Sequence, residues 1–107
     1  MKQFLVNYYS SPAAMEKMAN STPEEMQAGM KPWMDWKDEM GENLIDMGTP
    51  LMPAQVVGSD DAAVAKASGY SIIQAADINS AKTMLAEHPH LKWDSDSSIE
   101  VSECMPM

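Results

Sequence analysis

The stretch Gly69 to Leu91, GYSIIQAADINSAKTMLAEHPHL, constrains this chain more than any other. A short apolar run, Tyr70-Ser71-Ile72-Ile73, passes through Ala75 and Ala76 into Asp77, and a 3.6-residue periodicity follows. Asp77 is an N-cap: its carboxylate accepts from the orphan amides of a helix's first turn. Ile78, Ala81, Met84, Leu85 and His88 then share one face, so a strand feeds a helix that must pack back on the sheet. His88 stands where that face runs out. Both histidines, His88 and His90, are therefore expected at one helix C-terminus, where the dipole favours a protonated imidazole, with Asp46 or Glu87 adding to the effect. Acid–base chemistry in this chain has to begin there.

With 107 residues and 45% hydrophobic content, the chain is expected to form one domain, residues 1–107, around a modest core. Sixteen acidic residues against seven basic ones give a net charge of -9, a field that repels phosphate backbones and anionic lipid headgroups. Nucleic acid and membrane are excluded as natural partners on that ground. A lone cysteine, Cys104, has no partner for an internal disulfide, and no apolar run has signal-peptide or transmembrane length, so a cytoplasmic location is expected.

The opening Lys2-Gln3-Phe4-Leu5-Val6-Asn7-Tyr8-Tyr9 is apolar on both alternating faces, as a central strand would be. Phe4, Val6 and Tyr8 form one face; Leu5, Asn7 and Tyr9 form the other, and Asn7 directs that face toward a cavity or a subunit interface. Ser11-Pro12 starts a short helix through Met18. Thr22-Pro23-Glu24-Glu25 starts a long one, with capping-box spacing and two carboxylates at the positive end of the dipole. On that helix Met26, Met30, Trp33, Met34 and Met40 make an apolar stripe read as core, with Trp36 at its edge and Lys37 near its centre. Pro32 faces outward and bends it. Gly41 ends it. Leu44 to Gly48 is a second strand with Asp46 on one face; Gln55-Val56-Val57 is a short strand-like segment; Gly58 to Ser68 is a loop; Ile99 to Glu103 closes the chain as an alternating strand.

The order yields an α+β fold of the ferredoxin-like βαββαβ type, an antiparallel sheet with both helices on one face. Two helices shield one side only. The first strand is apolar on both, so a homodimer through sheet faces, enclosing a cleft, is expected.

Taken together, KQFLVNYY, LIDMGTPL, the Gly69 to Leu91 unit and IEVSECMPM resemble the YCII-related (DGPF-like) family of small dimeric α+β barrel proteins, and the resemblance spans nearly the whole chain. Its most specific part is the pattern of Gly69, Tyr70, Ala75, Asp77 and Pro89. The resemblance implies a homodimer with a cleft formed by the sheets and second-helix ends. In the founding branch an enzymatic role is suspected for a histidine on the long first helix and an aspartate before the proline that follows the second helix. This chain has Lys31, Pro32 and Trp33 in the first region and His88 in the second, so only His88 occupies a matching position.

No metal site is expected, because His88-Pro89-His90 lacks companions at zinc-ligand spacing and Asp94 to Ser98 lacks the glycine and glutamate of a calcium loop. No cofactor cradle is present in the sequence. Cys104 reads as a small packed residue. Three functions stay open: a cleft that binds a small apolar or aromatic-bearing molecule through Asn7, Tyr9, Tyr70, Trp33 and His88; a cofactor-independent enzyme of isomerase, decarboxylase or monooxygenase type with His88, His90 and Asp46 as acid–base candidates; and a protein-interaction module.

Overall fold

The first strand, β1 (Lys2–Tyr9), is the hub of the computed structural model, which describes residues 1–61 and 63–106. It pairs antiparallel with β3 (Gly69–Ala75) on one side and β4 (Ser98–Glu103) on the other, and β3 pairs antiparallel with the short edge strand β2 (Leu44–Asp46), giving the order β2-β3-β1-β4. Helices pack on one face of this sheet, as the ferredoxin-like arrangement requires. The register places Phe4 opposite Ile73, Val6 opposite Ser71 and Val101, and Tyr8 opposite Gly69 and Ile99. Phe4, Val6, Ile73 and Ala75 are completely enclosed, and Ala81 and Leu85 of the helix α3 (Ile78–Leu85) close over them. Asp77 caps α3 as expected, accepting from the Ser80 amide at 2.7 Å, which holds its carboxyl below the ordinary range.

On the opposite face, Leu5, Asn7, Tyr9, Tyr70, Ile72 and Gln74 are half-buried by strand neighbours, with no helix over them. The molecule is accordingly flat. Its extents are 39 × 38 × 20 Å, the thin dimension being one sheet and one helix layer of about 10 Å each. Its radius of gyration of 14.6 Å exceeds the ~13 Å of a rounded domain of this length.

Both helix starts after β1 are capped from the sequence signals. Ser11 accepts from the Ala14 amide at 3.1 Å to begin α1 (Pro12–Ala19), and Thr22 accepts from the Glu25 amide at 3.2 Å to begin α2 (Pro23–Met40). The stripe becomes core only at its C-terminal end, where Met40 is buried and Trp33 packs against the core. Met26, Met30 and Met34 are exposed, and the residues α2 buries are Trp36, expected at the edge, and Met40. The cause is the geometry of the helix: only its C-terminal half reaches the sheet, before Gly41 and a 3-10 turn (Gly41–Asn43) lead into β2. Lys37, expected near the centre of the stripe, is exposed.

Three further expectations are corrected. β2 stops at Asp46 because the Asp46 carboxylate accepts from the Gly48 amide at 2.8 Å, turning the chain. Gln55 to Val57 forms no strand; Pro50 and Pro53 lack the amides a ladder needs, and a single bridge, Pro50 to Gly69, is what this segment contributes to the sheet. Cys104 lies just beyond β4 and is exposed. No helix among the described residues is long and apolar enough to cross a membrane.

Gly48 fixes the turn after β2. Its φ is +73°, and a Cβ there would lie 1.8 Å from the Tyr70 carbonyl oxygen. Gly48→Ala is expected to lower unfolding free energy by roughly 2–4 kcal/mol, combining left-handed backbone strain with a backbone clash. Urea denaturation checks this, and an unchanged midpoint would contradict it.

Candidate functional site

Packed between the sheet and the C-terminal half of α2 is a polar chain in an aromatic shell. Ser71 occupies an inward position of β3, the same parity as Ile73, and Tyr8 occupies the last inward position of β1. The Tyr8 hydroxyl lies 2.8 Å from Ser71 Oγ and 3.1 Å from His88 Nε2. Ser71 donates to the Met47 carbonyl at 2.7 Å, so its oxygen is free to accept from Tyr8. The His90 amide donates to His88 Nδ1 at 2.9 Å, which makes Nδ1 an acceptor and puts the ring proton on Nε2. The direction is thereby fixed along its whole length: His90 amide to His88, His88 to Tyr8, Tyr8 to Ser71, Ser71 to the Met47 carbonyl.

The backbone around His88 differs from a helix C-terminus. α3 ends at Leu85, and His88, with extended backbone angles, caps the next helix, α4 (Pro89–Trp93). Proline at the first position of α4 forces that break, since it disfavours a helical residue before it. A dipole-stabilised imidazolium is therefore corrected to a neutral one. His88 has no exposed surface, and burial, followed by repulsion from His90, lowers its pKa from 6.5 to about 3. The rings of Trp36 and Trp33 lie 4.4 and 4.6 Å from it and would attract a cation. Protonation would nonetheless set an Nδ1–H against the His90 N–H, so desolvation and lost hydrogen bonding win. Tyr8, 3% exposed, is shifted the other way, to about 12, because burial disfavours phenolate more than the Ser71 hydrogen bond supports it. The chain is neutral at both ends at pH 7.

His90 is also buried, and its Nε2 donates to the Tyr9 carbonyl at 2.9 Å. Asp94 receives the Asp96 amide and the Ser11 amide and hydroxyl, at 3.1, 3.2 and 2.9 Å, which holds its carboxyl low and ties the end of α4 to the start of α1. Asp46 is elsewhere: exposed and occupied in its own turn. Glu87 is exposed and paired with Lys92 at 3.2 Å. The charge acting on His88 is thus that of His90, with no carboxylate opposing it.

Beside Tyr8 lies a cavity of about 360 Å³ between α2 and the turn after β2. Tyr8, Trp33, Tyr70, Met30, Met47 and Pro50 give it an apolar, aromatic wall, and Tyr8 meets Trp33 edge-on at 5.1 Å. Of the residues singled out as ligand contacts, Trp33 lines this cavity, and Tyr70 borders it from a position of β3 whose side chain alternates to the uncovered sheet face. Asn7 and Tyr9 lie on the uncovered sheet face, where Tyr9 donates to Glu100 at 3.1 Å. The sequence reading missed Tyr8 and Ser71 as polar members; the signal was their inward parity among Phe4, Val6 and Ile73.

No family model and no curated protein matches the chain. Among solved structures, the fold is similar to 5-chloro-2-hydroxyhydroquinone dehydrochlorinase (TftG) from Burkholderia phenoliruptrix AC1100 in complex with 2,5-dihydroxybenzoquinone. The TM-score is 0.53 at 15% identity, covering 92% of this chain and 90% of that one. At that identity the likeness concerns the fold.

Linkage gives His88 a signature. Its folded pKa lies below the unfolded value, so between pH 6.5 and about 3 the unfolded chain binds the extra proton. The stability it contributes is present above pH 6.5 and is lost on acidification through that window, at up to about 1.4 kcal/mol per pH unit. Between pH 6.5 and 5, above the ordinary carboxylate range, urea denaturation is expected to show wild-type stability falling and His88→Gln nearly flat. Equal slopes in the two proteins would contradict the buried neutral imidazole.

Proposed function

We propose that this chain is a small-molecule-binding protein of the YCII-related type whose cavity takes one planar, hydroxylated aromatic ring. The cavity itself carries the reading: about 360 Å³, aromatic-walled, with a buried phenol whose hydrogen-bond direction is already set. That volume lies at the small end of ligand pockets, about 300–1,000 Å³, and suits one ring with few substituents. Trp33 supplies stacking surface, and the Tyr8 oxygen, which donates to Ser71 and accepts from His88, keeps one lone pair for a ligand hydroxyl. The quinone-type ligand of the structural neighbour is of the same size and class.

Binding is favoured over acid–base turnover because His88 has both ring nitrogens engaged and a pKa far below neutrality. Its role in this reading is to orient Tyr8. Hydroquinone and 2,5-dihydroxybenzoquinone are the probes, followed by calorimetry. Millimolar or tighter saturable binding of hydroquinone is expected, weakened at least tenfold by Trp33→Ala. Tyr8→Phe is expected to weaken hydroquinone several-fold while leaving benzene unchanged. No saturable binding of either probe would overturn the reading.

The protein is further proposed to act as a homodimer through the uncovered sheet face. β1, β3 and β4 present a single charge there, Glu100, so nearly all of the net charge of -9 is carried elsewhere and does not oppose face-to-face pairing. Asn7 and Tyr9 then face the partner. Sedimentation at micromolar concentration is expected to give twice the 11.8 kDa chain mass, and Leu5→Lys with Ile72→Lys a folded monomer. A wild-type monomer would refute the pairing.

A further inference from the structure

Along the flank of α2 that meets α1 and α4 runs a second and larger depression, about 830 Å³, walled by α2, the end of α1, and α4. Three properties identify what it accepts. Its surface is apolar and deformable: Met18, Met26 and Met30 line it, the three all exposed, together with Trp33, Trp36 and Trp93. Flexible thioethers and broad aromatic rings are the surface that accommodates an amphipathic helix. Along α2 the lining extends from Glu25 to Glu39, about 21 Å at 1.5 Å per residue, or some four turns.

Its rim is acidic. Glu25, Asp35, Glu39 and Glu87 stand around it, and the one lysine in the lining, Lys92, is already paired with Glu87. A second copy of this chain would bring its own charge of -9 to that rim, so complementarity selects a cationic partner.

Midway along the groove stands Gly29. A helix interior disfavours glycine by about 1 kcal/mol relative to alanine, and nothing lies within 4 Å of where its Cβ would be. The vacancy is therefore not needed by the fold. It is what a second backbone needs to approach α2 closely. About two turns further along the helix, Trp36, 5% exposed, keeps an indole N–H with no acceptor among the described residues.

We propose that this groove docks a basic amphipathic helix of about four turns from a partner protein, apolar side inward on the methionines and tryptophans, with lysines or arginines toward the acidic rim. Gly29 marks the point of closest approach. The groove adjoins the ring-binding cavity at Met30, Trp33 and Pro50, which line both, whereas Gly29 lines the groove alone.

The probe is a 14-residue helical peptide of leucine and lysine with the leucines on one face, titrated by calorimetry and tryptophan fluorescence. A scrambled peptide of the same composition is its control. The amphipathic peptide is expected to bind at least tenfold more tightly than the scrambled one. Gly29→Trp, checked for folding by circular dichroism, is expected to lose at least tenfold in affinity while keeping hydroquinone binding. Glu39→Lys is expected to weaken the peptide several-fold, whereas Glu42→Lys, the same change in net charge outside the groove, leaves it within about twofold. Equal binding of the two peptides, undiminished binding by Gly29→Trp, or equal effects of the two charge reversals would each overturn the proposal.

Discussion

The hydrogen bonds at the Tyr8 hydroxyl join parts of the chain that are otherwise far apart in sequence. His88 reaches it from the link between α3 and α4, Ser71 from β3, and Ser71 passes the connection on to the Met47 carbonyl in the turn after β2. One phenol thus ties the central strand pair to the second helical segment and to the loop that leaves the sheet edge. Because these groups are buried, each has to be satisfied; leaving any one unpaired costs roughly 1–3 kcal/mol. That requirement sets the tautomer of His88, while Pro89 breaks the helix so that the imidazole can reach the phenol, and Ser71 holds the turn beside which the cavity opens.

The rest of the architecture follows from how little of α2 the sheet holds. Trp36 and Met40 anchor its last turns, and Trp36 and Trp33 enclose the imidazole; the preceding turns project past the sheet and expose their methionines. A better-packed helix would have filled both hollows. As it stands, α2 leaves a neutral aromatic cavity against Tyr8 and, adjoining it at Met30 and Trp33, an acid-rimmed groove toward α1 and α4. The sheet's far face is different again, half-buried and nearly free of charge. Three surfaces with distinct chemistry arise from a single helix layer on a single sheet.

Local signals in the sequence reported local structure faithfully. Ser11, Thr22 and Asp77 cap the helices they precede, each by accepting the expected first-turn amide, and the alternation in β1 sorts its side chains to the two faces as read. What periodicity could not convey was distance from the sheet. The stripe through Met26, Met30 and Met34 has helical spacing whether or not a core lies beneath it, so of the stripe Met40 is buried as read, and beside it Trp36, expected at the edge. His88 was legible as chemistry but not as environment: the same residue is a dipole-stabilised cation at the end of one helix or a buried neutral cap at the start of the next, and Pro89, present in the sequence, was the cue that decides between them. Ser71 was hidden by its size, a small polar residue in an apolar strand whose partner lies 63 positions away.

The account rests most heavily on a neutral imidazole held between an amide donor and a phenol acceptor. Nitrogen-15 NMR of histidine-labelled protein reads both ring nitrogens directly. The account predicts that at pH 7 the His88 resonances, identified by their loss in His88→Gln, show a protonated Nε2 and an unprotonated Nδ1, and that this pattern persists as the pH is lowered to 5. An Nδ1–H tautomer for His88, or an imidazolium forming near pH 6.5, would contradict it.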